Sequence, residues 1–167
     1  MDRYDEKGIT EIDHNGWQRR KDAYETFSRN VGMVRKELKR GEIYEFDWGV
    51  NVNCEFSKRH YGVVLVDSPA YNPLVTVCPL KTNIRGAHPN SDINIGYINQ
   101  IDTQFETLAV VNQIRALDKM RIYRRQNIKN KITNEPQSNE NMRLTNSQME
   151  KLLIAILNYY SQNGSLK

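Results

Sequence analysis

Between residues 42 and 111, short runs of β-forming residues recur at close intervals with turn signals between them. This rhythm limits the fold more than any other feature of the chain. Ile43, Phe46 and Trp48 stand among polar residues in a strand expected over 42–48. Residues 61–66 are apolar at successive positions, so a strand buried on both faces is expected there. A second β-rich run covers 74–80. Ile93 and Ile95 alternate with polar residues across 92–98, which predicts a half-exposed strand. Residues 108–111 form a last buried run that leads into Asn112, Gln113, Ile114 and Arg115. Strands this close together, with loops at 49–58, 67–73 and 81–90, predict a mainly β domain with helices. The expected form is a small barrel or a strongly bent sheet rather than alternating βαβ units.

Two helices flank this core in the sequence. The spacing of Tyr24, Phe27, Val31, Val34 and Leu38 predicts an amphipathic helix over 15–38, with Arg19, Arg20, Lys21, Arg29, Arg35 and Lys36 on its other face. It is expected to dock on the domain or on a second copy. Near the C-terminus, Thr145 and Gln148 have the spacing of a capping box. Met149, Leu152, Leu153, Ile156, Leu157 and Tyr160 then fall on one face, as a helix covering the sheet requires. The expected division is an N-terminal extension over 1–37, a barrel domain over 38–162 and a tail over 163–167. A basic stretch over 123–143 precedes the last helix.

Several classes of function find no support. Two cysteines, Cys54 and Cys78, make neither a disulfide framework nor a zinc quartet, and each is expected to be a small buried hydrophobe. The polar start lacks the pattern of a signal peptide and no apolar run approaches membrane-spanning length, so a cytoplasmic protein is expected. No phosphate-binding loop, dinucleotide fingerprint, nucleophile elbow or HExxH motif occurs. His14, His60 and His88 lie in unlike contexts, so neither a histidine metal site nor a cofactor is expected. The net charge of +4 permits a polyanionic partner without demanding one.

Polar clusters at strand ends remain as candidates for chemistry. Lys58, Arg59 and His60 precede the run at Val63; Lys81, Thr82 and Asn83 follow the run ending at Leu80; Asn112, Gln113 and Arg115 end a third. If these strands are neighbours, the clusters share one rim, although each taken singly also fits a solvated strand end. A rim with a histidine and several cations suits RNA cleavage. RNA carries its own nucleophile, the 2′-hydroxyl, so a proton carrier and a phosphate ligand suffice without a metal.

Four blocks, in order, resemble the MazF/PemK-like toxin family. The run from Lys39 to Tyr44, with Asp47 following, resembles the family's RGDIY-type opening. Cys54 and Glu55, then a basic loop and the apolar run at 63–66, resemble its second segment. The run from Val77 to Thr82 resembles its VxPLTS strand end. The twelve residues from Val111 to Ile122 resemble its QIRTIDKxRL block and form the most specific match. The resemblance covers about residues 38–160. It implies an SH3-like barrel with a C-terminal helix, a homodimer, and metal-independent cleavage of single-stranded RNA, usually mRNA. It also implies a cognate antitoxin whose tail blocks the RNA groove, and possible DNA binding through the toxin–antitoxin complex.

The chain departs from the family pattern where catalysis is expected. Gly62 takes the position of the family's proline and Tyr61 that of its catalytic arginine. Arg59, two residues earlier on the same face of an extended segment, is the expected replacement, with His60 beside it. Lys81 takes the position of the catalytic threonine and Thr82 comes one later, which flips the face unless a bulge intervenes. The expected catalytic residues are thus Arg59, His60 and Thr82. The expected RNA contacts are Lys58, Tyr61, Lys81, Asn83, Gln113 and Arg115. Arg115 could instead form a structural ion pair with Asp118, and Asp118, Lys119 and Arg121 are read as structural. An active endoribonuclease toxin, a non-catalytic relative that binds nucleic acid or protein, and a generic SH3-like interaction module all stay open at this point.

Overall fold

The computed structural model describes residues 36–49, 51, 55–123 and 142–162. Most of the expected N-terminal helix, Cys54, His14 and nearly all of the basic stretch over 123–143 lie outside the described residues. The last positions of that expected helix, 36–38, are not helical: Leu38 forms a bridge with Ser68.

Six strands follow in order: β1 (Ile43–Asp47), β2 (Arg59–Val64), β3 (Leu74–Thr82), β4 (Asp92–Ile98), β5 (Asp102–Val110) and β6 (Arg115–Asp118). One helix, α1 (Asn146–Gln162), comes after them. All pairings are antiparallel, in the order β1-β2-β3-β5-β4, with β6 also on β3. The nine-residue β3 is the hinge of this arrangement. Leu74–Val77 pairs with β6, Val77–Pro79 with β2, and Leu80–Thr82 with β5. β5 and β6 thus run along β3 in succession, broken by a 3-10 turn at Val111–Gln113.

Among the described residues the sheet does not close into the expected barrel. Within them β1 and β4 end the sheet, and isolated contacts rather than a ladder draw the chain after β6 back onto β1. These are the bridge from Phe46 to Ile122, with a bond from Tyr123 N to Glu45 O of 2.7 Å, and the bridge from Glu42 to Arg143, with a bond from Ile43 N to Met142 O of 2.9 Å. A continuous ladder would need β6 to extend past Asp118. Instead Asp118 caps a 3-10 turn (Lys119–Arg121), accepting from Met120 N at 2.8 Å, and that turn interrupts pairing.

Adjacent residues of β2 show why both faces of the sheet are apolar. Val63 and Val64 are both fully buried but enter different cores. Val63 joins Ile43, Cys78, Leu80, Ala109 and Val111 beneath α1, which contributes Met149 and Leu152. Val64 joins Leu38, Phe46, Trp48, Val75, Val77, Leu117 and Ile122 on the opposite face, where the bent sheet and its flanking segments close over one another. Burying each such side chain stabilises the fold by roughly 1.5–3 kcal/mol. Cys78 is buried as expected, and burial pushes its thiol up to about 12.

Three expectations are corrected in detail. β5 begins at Asp102, well before the run at 108–111, because 102–107 pair with β4 despite their polarity. The alternation expected in β4 holds for Ile93 and Ile95, which both pack in the core under α1, and breaks beyond them. Asp92, Ile95 and Ile98 are its buried residues, since Asn94 Oδ1 accepts from Gly96 N at 2.8 Å and Gly96 adopts φ +83°, which shifts the register. The capping box forms as expected, Gln148 N to Thr145 Oγ1 at 3.2 Å and Thr145 N to Gln148 Oε1 at 3.0 Å. The covered face of α1, however, consists of Met149, Leu152, Leu153, Ile156 and Tyr159, and Leu157 is 68% exposed. Tyr160 is half exposed and donates to Val111 O at 3.2 Å.

Candidate functional site

The loop between β1 and β2 delivers the first polar cluster. Trp48 N donates to Lys58 O at 2.7 Å and Lys58 N to Gly49 O at 2.9 Å, which closes the loop's base. Gly49 has φ +82° and Lys58 φ +64°. A lysine in the left-handed region is uncommon and costs about 1 kcal/mol, so the turn is held by its surroundings. Asn51 contributes, its amide donating to Trp48 O at 3.0 Å and to Phe56 O.

Three side chains from the distant QIR block brace this loop. Gln113 Oε1 accepts from Phe56 N at 2.6 Å, Arg115 Nη2 donates to Trp48 O at 2.7 Å, and Arg121 Nη1 donates to Asp47 O at 3.2 Å. The Arg115 guanidinium also lies 4.9 Å from the Trp48 ring. Burial, and then the nearby Arg121, pull its pKa down, with Glu55 opposing. Among the described residues no ion pair joins Arg115 to Asp118, which serves the cap of its own turn. Gln113 and Arg115 therefore act first as supports for the loop that carries Lys58–Tyr61. Arg121, read from sequence as structural, proves to belong to the same cationic cluster.

Arg59 stacks on Tyr123, its guanidinium 3.6 Å from the ring centroid. His60 meets the Phe56 ring edge-on at 4.9 Å, and its carbonyl accepts from Trp48 Nε1 at 3.1 Å. Burial lowers the His60 pKa below 6.5, a hydrogen bond with the Ser57 backbone and the Glu45 charge oppose this, and Lys58 reinforces it. The imidazole is therefore neutral at pH 7, in the form that accepts a proton.

The second cluster sits at the end of β3. Lys81 Nζ forms an ion pair with Asp92 Oδ2 at 2.6 Å, Thr82 pairs with Thr107, and Asn83 N donates to Glu106 O at 2.9 Å. The strand pleat sorts the expected residues. Arg59, Tyr61, Leu80 and Thr82 share the face of the core under α1, whereas His60, Gly62, Pro79 and Lys81 share the opposite face. β3 carries no bulge that would bring Thr82 round to the side of His60. The β2–β3 ladder stops at Gly62↔Pro79. Continued, its register would set His60 opposite Lys81 and Arg59 opposite Thr82, so the two clusters flank the point where these strands part.

A family profile described as the PemK-like, MazF-like toxin of type II toxin–antitoxin systems matches residues 39–154. The chain belongs to this family. No curated protein matches the chain significantly. Membership implies an antitoxin partner. It also gives the Gly62 departure a physical setting. A Cβ at Gly62 would lie 3.1 Å from Phe46 Cδ2 and 3.1 Å from Trp48 Cζ2, so these aromatic rings occupy the room a larger residue would need. The sequence blocks led to Lys58–Tyr61, Lys81–Asn83, Gln113 and Arg115. They gave no signal for Trp48, Phe56, Tyr123 or Asp92, whose roles depend on contacts across the fold. Among the described residues no three His, Cys, Asp or Glu side chains converge to hold a metal ion, and no helix is long and apolar enough to cross a membrane.

Proposed function

We propose that this protein is the toxin of a type II toxin–antitoxin pair and acts as an endoribonuclease on single-stranded RNA, with mRNA the expected target. The observation that carries the reading is the convergence of the basic loop end, Lys58–His60, with Arg115, Arg121, Trp48, Phe56 and Tyr123. Cations beside aromatic rings suit a flexible polyanion whose bases are free to stack.

The pleat refines the roles. Neutral His60 takes the proton from the 2′-hydroxyl as that oxygen attacks phosphorus. Lys81, on the same face, balances the negative charge that accumulates on the phosphoryl oxygens. The P–O5′ bond breaks, the leaving oxygen takes a proton from solvent water, and the hydroxide left behind takes the proton held by the His60 imidazolium. The products carry a 2′,3′-cyclic phosphate and a 5′-hydroxyl. Arg59 and Thr82, on the reverse of the pleat, contact a flanking nucleotide, as do Lys58, Tyr61 and Asn83. RNA supplies the nucleophile, so the chemistry calls for neither metal nor cofactor. The protein works as a homodimer, its antitoxin blocks the same groove, and the toxin–antitoxin complex binds DNA. The ion pair that already engages Lys81 favours one other reading, a relative that binds RNA without cutting it.

The test is incubation with a mixed RNA pool in EDTA, followed by mapping of the ends. Discrete cuts that persist in chelator and disappear in His60→Ala support the reading. Intact RNA, bound by folded protein, would replace it with the binding-only relative, and full activity in both Arg59→Ala and His60→Ala would remove the proposed site.

A further inference from the structure

The cation at the end of β3 is set by a residue no motif identifies. Asp92 opens β4, and its side chain is only 2% exposed while that of Lys81 is 36% exposed. The carboxylate has defined partners: His88 N at 2.7 Å and Lys81 Nζ at 2.6 Å on Oδ2, and Ser91 Oγ at 3.3 Å on Oδ1. Asp92 and Lys81 lie on one face of the sheet, diagonal across β5, because Asp92 pairs with Val110 and Lys81 with Leu108. An anion anchored by backbone and hydroxyl donors fixes the ammonium in place. A lysine has three donors, and Asp92 engages one of Lys81's.

We infer that Asp92 is a positioning residue for RNA cleavage, holding Lys81 where the scissile phosphate meets it. The inference rests on the endoribonuclease reading above and assigns Asp92 no contact with RNA. Its negative charge opposes phosphate binding, while its hydrogen bond orders the lysine. Removing the charge but keeping the shape therefore affects binding and turnover differently. Binding does not weaken, since a net positive charge is gained. Turnover falls, since a mobile ammonium is displaced by an ångström or more from the developing charge, a scale of error that costs about 100-fold.

The experiment measures kcat and KM on a single-stranded RNA for wild type, Asp92→Asn, Lys81→Ala and the double variant, with thermal melts alongside. Asp92→Asn is expected to lose about 10- to 100-fold in kcat with KM unchanged or lower, and the double variant to match Lys81→Ala alone. Lys81→Arg, which can still reach Asp92, is expected to retain more activity than Lys81→Ala. If Asp92→Asn does not fold, Asp92→Ser provides the same comparison. Wild-type kcat in the aspartate variant, or losses that simply multiply in the double variant, would overturn the inference while leaving the nuclease reading intact. A wild-type protein that cuts no RNA would overturn both.

Discussion

Lys119 offers the sharpest test of the energetics. Its side chain is fully buried, and its ammonium donates to Lys36 O at 2.9 Å, Pro69 O at 2.8 Å and Ser68 O at 3.3 Å. Two of these carbonyls have other donors, Leu38 N on Ser68 O at 2.9 Å and Asn72 N on Pro69 O at 3.0 Å. Lys119→Met keeps the stem and removes the charge, leaving Lys36 O as the acceptor most affected, a loss of about 1–3 kcal/mol. Relief of the several kcal/mol that burying a cation costs offsets this, so the net change should be about 0–2 kcal/mol. Lys119→Ala also empties the space of the stem, which adds about 2–5 kcal/mol. Thermal denaturation should therefore separate the two variants by about 4–20 °C, with alanine lower. The pH dependence gives a second handle. Burial lowers the folded pKa of Lys119 below 10.5, so the unfolded chain binds more protons between that lowered value and 10.5. This group then makes the wild type more stable as pH rises through that window, and the wild-type-minus-methionine difference isolates its share. Equal losses in the two variants would mean that the charge, not the packing of the stem, holds this junction together. An unchanged pH slope in Lys119→Met would refute the buried-cation account.

Other expected outcomes follow from the same contacts. His60 has a folded pKa below 6.5, so cleavage should hold steady down to about that pH and fall as pH drops through the lowered value; a flank beginning above pH 7 would rule out His60 as the base. Gly62→Ala should cost about 1–3 kcal/mol in chemical denaturation, because its methyl would press on the rings of Phe46 and Trp48; an unchanged midpoint would show that these rings shift freely. Gln113→Ala removes the acceptor for Phe56 N. It should lower stability by about 1–3 kcal/mol and raise amide exchange at Phe56 and nearby loop positions, and exchange as slow as in wild type would show that the loop is held without it. Thr145→Ala should cost about 0.5–2 kcal/mol, read from the melting of α1 by circular dichroism, and no loss would mean that Gln148 supports the helix start alone.

Much of the fold was legible because the relevant physics is local. Val63 and Val64 announced a strand covered on both sides, and Thr145 and Gln148 announced the start of α1. The dozen residues from Val111 announced the family, and the strand ends named most of the polar residues gathered at the candidate site. Legibility failed where a residue's role depended on something distant in sequence. The polar half of β5 forms a strand only because β4 is there to pair with it. Asn94 and Gly96 shift the β4 register through a turn that alternation does not reveal. Leu157, on the apolar stripe of α1 by spacing, faces solvent because the sheet beneath covers only part of that stripe.

The sequence by itself determined the strand-rich class, the capped final helix, the family, and which residue types stand at each strand end, since period, capping and motif are properties of neighbouring residues. Only the tertiary structure decided that the sheet stays open among the described residues, that Gln113, Arg115 and Arg121 brace the loop carrying His60, and that Lys81 answers to Asp92. Only it divided His60 and Lys81 from Arg59 and Thr82 by the faces of one pleated sheet. The physical reason is that these facts depend on register between strands, and register is fixed by the joint packing of two cores rather than by any single run of residues.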